Sequence, residues 1–64
     1  MTYEIWLTVL GADGDLQQTR VGYARTKALA IRKAKQAAGR GAVLVPHYGM
    51  TIAYDGPNGR AFIG

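Results

Sequence analysis

The stretch TKALAIRKAKQAA, Thr26–Ala38, decides the fold of this chain. At 100° per residue its small apolar side chains fall on one face, which consists of Ala30, Ile31, Ala34, Ala37 and Ala38. Thr26 is suited to cap the N-terminus, and Gly39 and Gly41 are suited to end the helix. The pattern therefore predicts a helix over roughly Lys27–Ala38 whose alanine face packs closely against a sheet.

Two alternating segments precede this helix and predict an antiparallel β-hairpin. In residues 2–10 one face carries Tyr3, Ile5, Leu7 and Val9, and Trp6 falls on the other. In residues 17–24 one face carries Thr19, Val21 and Tyr23. The sequence between them contains Asp13-Gly14, a pair that favours a tight turn between strands.

Shorter segments follow the helix. Residues 42–48 predict a third strand, Gly49-Met50 a turn, and residues 51–54 a fourth strand. Residues 55–59 have the composition of a loop, and residues 60–63 fit either a fifth strand or an ordered tail. The predicted fold class is α+β, in the order ββαββ with or without a further strand. A mainly antiparallel sheet carries one Ala-rich helix on one face, in a single domain spanning residues 1–64.

This layout resembles small stand-alone ββαββ proteins of unknown function from bacteria and their phages. The resemblance rests on the alternating first hairpin, on the stretch TKALAIRKA (Thr26–Ala34) and on the glycine-bounded hairpin after the helix. The Gly/Ala/Arg/Val-rich composition is typical of GC-rich genomes, which favours a phage-encoded accessory protein. The resemblance implies no functional residues.

Length and composition narrow the functional classes. A chain of 64 residues without cysteine has no disulfides and no cysteine-based zinc site. Residues 1–10 lack the basic start and long apolar run of a signal peptide, and residues 42–46, the longest apolar run, are too few to span a bilayer. We therefore expect a cytoplasmic protein without membrane contact.

The charges are distributed unevenly along the chain. The net charge is +4, and no acid occurs between Leu16 and Tyr54. That interval holds seven basic residues: Arg20, Arg25, Lys27, Arg32, Lys33, Lys35 and Arg40. A local positive field favours polyanions, which include nucleic acids and acidic protein surfaces. We expect the contacts from Arg25, Arg32, Lys33, Lys35 and Arg40, although a solvated face that maintains solubility explains the same charges.

Trp6 and Leu29 are the candidate hydrophobic contacts with a partner. Trp6 falls on the strand face opposite the predicted core, where it would anchor a protein interface, stack on a base or cover Gly22 of the next strand. Leu29 falls on the outer helix face, where a single exposed leucine is also ordinary.

Catalytic and metal-binding patterns are weak. His47 is the only histidine and is best interpreted as a strand residue, while Asp13 and Asp15 are best interpreted as turn residues. We expect no enzyme, no cofactor, no metal and no small-molecule substrate. The first expectation for function is protein–protein contact, with another protein or with a second copy in a homodimer. The alternative is nucleic-acid binding through the helix, residues 26–38.

Overall fold

The chain folds into a five-stranded antiparallel sheet with one helix packed on one face, as the fold-class prediction states. A computed structural model describes residues 2–45 and 51–64. The elements are β1 (Tyr3–Leu10), β2 (Leu16–Ala24), α1 (Lys27–Ala38), β3 (Val43–Leu44), β4 (Ala53–Gly56) and β5 (Gly59–Ile63). Their order across the sheet is β2-β1-β5-β4-β3.

The helix begins and ends at the residues that the sequence predicts. The Thr26 hydroxyl oxygen accepts a hydrogen bond from the Leu29 N–H at 3.2 Å, which satisfies one of the free donors of the first turn. At the other end Gly39 adopts φ 111°, and its N–H donates to the Lys35 carbonyl at 3.0 Å. A side chain at Gly39 would be strained in this conformation, so glycine ends the helix here.

The core lies between the alanine face of α1 and the middle of the sheet. Ala30, Ala34 and Ala38 are fully buried on the helix, and Ile31 and Ala37 are partly buried beside them. The sheet contributes Ile5, Ala24, Tyr54, Ala61 and Ile63 to this cluster. Because Ile5 is the only large side chain that is completely buried among the described residues, close helix–sheet contact replaces bulk in this core.

Residues 60–63 form a strand at the centre of the sheet rather than a tail. β5 pairs with β1 from Ile5↔Ile63 to Thr8↔Arg60 and with β4 on its other side. Alternation explains its position, because Ala61 and Ile63 point into the core beneath the helix.

The second hairpin differs from its prediction. The predicted fourth strand, 51–54, is displaced to Ala53–Gly56, because Asp55 pairs with Arg60 and Gly56 with Gly59 across a tight turn. In the described part, the predicted third strand 42–48 is paired only over Val43–Leu44. The Gly49-Met50 turn and His47 lie outside the described residues.

A β-bulge interrupts the first hairpin. Ile5 pairs with Gly22 but Trp6 pairs with Arg20, so Val21 is an extra residue in β2. The predicted common face for Thr19, Val21 and Tyr23 is therefore wrong. Tyr23 pairs with Glu4 and lies on the face away from the helix.

The turn between β4 and β5 supports the C-terminal end of α1. The Asn58 N–H donates to the Ala38 carbonyl at 2.8 Å, and the Asn58 amide donates to the Ala37 carbonyl at 3.4 Å. A methyl group added to Gly56 would lie 2.7 Å from the Ala38 carbonyl carbon. Glycine is therefore required where β4 passes beneath the end of the helix.

Candidate partner-binding surface

The predicted basic contact residues all lie on or beside α1. Arg32, Lys33 and Lys35 belong to the helix, and Arg25 and Arg40 lie just beyond its two ends. Lys33 donates to the Tyr23 carbonyl of β2 at 2.5 Å. The Lys35 ammonium lies 5.4 Å from the centre of the Tyr54 ring of β4. These two lysines are therefore held on opposite flanks of the helix, as expected for side chains two positions apart at 100° per residue.

The opposite face of the sheet contains two ion pairs. Arg20 lies 3.2 Å from the Glu4 carboxylate. Arg60 donates to both carboxylate oxygens of Asp55, at 2.6 and 3.0 Å. The hydrogen bonds from Arg60 hold the pKa of Asp55 below its ordinary value, against a smaller opposing effect of desolvation.

This pairing concentrates the uncompensated charge on the helix side. Of the eight lysines and arginines in the chain, two are in these ion pairs. The remaining six are Arg25, Lys27, Arg32, Lys33, Lys35 and Arg40. No acid of the described chain lies within ion-pair distance of any of them. The unpaired acids are Asp13 and Asp15, in the turn between β1 and β2. The helix side is therefore a positively charged surface, which we call the basic side.

Trp6 lies on the sheet face away from the helix, as predicted, but its ring is already packed. It stacks on Phe62 with 6.4 Å between ring centres and 9° between planes. The Arg20 guanidinium lies 5.9 Å from the Trp6 ring and 4.9 Å from the Tyr23 ring. The bulge at Val21 makes this possible, because it brings Arg20 and Tyr23 to one face although they are three residues apart. Trp6 pairs with Arg20 and does not lie across Gly22.

The two predicted hydrophobic contacts do not form one surface. Leu29 is 38% exposed on the helix, whereas Trp6 lies on the other side of the sheet. A single partner surface that includes both residues is therefore not present in the fold.

A groove beside the helix was missed by the sequence analysis. It has a volume of about 570 Å³, and it runs between α1 and the hairpin of β1 and β2. The lining residues are Ile5, Leu7, Val21, Gly22, Lys33, Gln36, Ala37 and Asn58. Val21 is 47% exposed there, because the bulge turns it toward the helix side. In the sequence, the only sign of this groove is the exposed valine next to glycine at Val21-Gly22. The face to which Val21 points depends on the bulge, which the sequence pattern does not predict.

The tip of the first hairpin is an exposed apolar surface. Leu10 and Leu16 face each other across the hairpin and are 67% and 70% exposed. β5 accompanies β1 only as far as Thr8, so no strand flanks β1 at the tip on that side. We call Leu10–Leu16 the hairpin tip.

Residues 2–45 and 51–64 contain no cluster of three or more histidine or acidic side chains that could hold a metal ion. Within the same ranges, α1 is too short and too polar to cross a membrane. A comparison with known families, curated proteins and solved structures gives no match for this chain.

Proposed function

We propose that this chain is a non-enzymatic accessory protein that acts through protein–protein contact, and that the groove beside α1 is its contact surface. The observation that carries the proposal is the groove itself, in which Val21 is left 47% exposed beside the polar side chains of Lys33 and Gln36. An origin in a phage stays a prediction from composition.

The groove supports this function better than Trp6 does. Single exposed valines are ordinary on a protein surface, but Val21 lines a concave surface together with the partly buried Leu7 and Ala37. Concave apolar surfaces with a few polar groups at the rim are where proteins bury partner side chains. Lys33 and Gln36 supply such polar groups. The Trp6 ring, in contrast, already packs on Phe62.

The test is affinity capture from a lysate of the source organism, with two matched variants of β2. Val21→Glu places a charge in the groove, and Gln18→Glu places the same charge on the opposite face of the sheet. We expect the parent and the Gln18→Glu variant to capture the same protein, and we expect the Val21→Glu variant not to capture it. Equal capture by all three proteins would show that the groove is not the contact surface.

Nucleic-acid binding is the second candidate, and the six uncompensated cations of the basic side favour it. Lysine and arginine contacts to phosphates give salt-dependent affinity with little sequence preference. We expect three to five of these cations to contact phosphates of duplex DNA. Each phosphate neutralised should add about −0.9 to the slope of log affinity against log salt concentration.

Fluorescence anisotropy with duplex DNA and RNA tests this candidate with another matched pair. Arg32→Gln removes an unpaired charge, whereas Arg20→Gln removes one that Glu4 already neutralises. We expect weaker binding and a shallower salt slope for Arg32→Gln only. Equal losses in both variants would indicate that net charge, rather than the basic side, governs binding.

A further inference from the structure

We propose that the occupant of the groove is the hairpin tip of a second copy of this chain. This inference rests on the proposed function of the groove. It joins two surfaces of the same molecule that the fold leaves uncovered at different places, the groove with its exposed Val21 and the apolar hairpin tip.

The hairpin tip presents two exposed apolar side chains on an ordered turn. Leu10 and Leu16 are Cα partners, so their side chains project together from the end of the hairpin. The turn is held by hydrogen bonds from the Gly11 N–H to the Asp15 carbonyl, at 2.7 Å, and from the Gly14 N–H to the Gly11 carbonyl, at 3.0 Å. A turn that is already ordered loses little conformational entropy on docking. The groove volume of about 570 Å³ suits a few side chains rather than a whole domain.

The charges of the two surfaces are complementary. The hairpin tip contains Asp13 and Asp15, the acids that have no basic partner in the described structure. Lys33 lines the groove, and the other unpaired cations lie along the same helix or just beyond its ends. Docking the tip beside α1 therefore brings both unpaired acids to the basic side.

The same charges oppose a contact between two grooves. Such a symmetric contact would bring two basic sides together, each with six unpaired cations. A contact between unlike surfaces avoids this repulsion and joins the tip of one copy to the groove of the next. The inferred contact therefore joins two unlike surfaces of the chain.

Sedimentation velocity on two complementary variants tests the inference. The tip variant carries Leu10→Thr and Leu16→Thr, which introduce β-branched side chains suited to strands and remove the apolar surface. The groove variant carries Val21→Glu. Leu29→Thr is the control, because it removes a partly exposed leucine that lies outside both surfaces.

We expect the parent and Leu29→Thr to associate as concentration rises, with association weakened by added salt. Each complementary variant alone should associate at least about tenfold more weakly, because it lacks one of the two surfaces. An equimolar mixture should recover a one-to-one dimer, since the tip variant has an intact groove and the groove variant an intact tip. Circular dichroism checks that each variant is folded.

Three results would overturn the inference: a parent that is monomeric at several hundred micromolar, variants that associate as the parent does, or a mixture without dimers. A monomeric parent whose capture of another protein is lost with Val21→Glu would refute the second-copy occupant alone. Capture unaffected by Val21→Glu, together with a dimer in the mixture, would instead refute the groove as the contact surface for another protein and keep the self-docking.

Discussion

Replacing Gly56 by alanine should separate the end of α1 from the sheet. The added methyl would lie 2.7 Å from the Ala38 carbonyl carbon and 3.2 Å from the Ala38 Cβ. Carbon atoms pack at about 3.5–4.0 Å, so the end of the helix has to move by about 1 Å. Both neighbours belong to Ala38, whose backbone is fixed by the last turn of the helix, and a rotamer change cannot relieve the contact.

The cost follows from what that movement disrupts. Overpacking costs about 1–3 kcal/mol, and weakening the hydrogen bond from Asn58 to the Ala38 carbonyl adds about 1 kcal/mol. Replacing glycine also lowers the conformational entropy of the unfolded chain, which offsets the loss of stability by about 0.4–1 kcal/mol. We expect a net loss of about 1–3.5 kcal/mol in the free energy of unfolding, centred on about 2 kcal/mol. A chain of this length has roughly 3–10 kcal/mol in total, so the loss is large.

Urea denaturation followed by far-UV circular dichroism measures this loss, and Gly22→Ala is the matched control. A methyl group at Gly22 would meet no atom within 4 Å, so this variant should be as stable as the parent or slightly more stable. The melting temperature of Gly56→Ala should fall by about 10–20 °C. If both variants unfold at the same urea concentration, the close passage of β4 beneath the helix is not present in solution.

Three further substitutions test the core, the helix cap and an ion pair. Ala34→Leu should lower the free energy of unfolding by about 1–3 kcal/mol, because Ala34 is completely buried; an unchanged thermal melt would contradict the packing of the alanine face. Thr26→Ala should cost about 1 kcal/mol and Thr26→Ser much less in the same melt, and equal losses would show that the hydroxyl does not cap the helix. Because Arg60 lowers the pKa of folded Asp55, the stabilisation from this pair is present above the pKa of the unfolded carboxyl and is lost as pH falls through the lower folded value. Asp55→Asn should therefore lose less stability than the parent in a denaturation series below about pH 4, and parallel pH profiles would refute this contribution.

Local signals made the helix predictable. The alanine period, the Thr26 hydroxyl and the Gly39 backbone each act within a few residues, so the bounds Lys27–Ala38 follow from neighbouring chemistry. The fold class and the two flanks occupied by Lys33 and Lys35 follow from the same period.

The remaining features depend on distant parts of the chain. Placing β5 between β1 and β4 requires residues of β1 and β5 that are more than fifty positions apart to pair. The sequence of a strand does not specify which other strand lies beside it. One extra residue at Val21 reverses which side chains of β2 share a face, so strict alternation gave the wrong side for Tyr23. The groove depends on both, since it is bounded by the bulged strand and by a helix that sits mainly over β1 and β5.

The separation of charge described above makes the molecule an electric dipole. Its longest dimension is 36 Å, which exceeds the Debye length of about 8 Å at physiological ionic strength. An approaching charged surface therefore interacts with the charges of only one part of the protein at a time. The electrostatic field orients it only within about one Debye length of contact. At about 0.01 M salt, where the Debye length is about 30 Å, the whole dipole orients the approach. The rate of association should then rise steeply, while the rate of dissociation, governed by the contacts already made, changes much less.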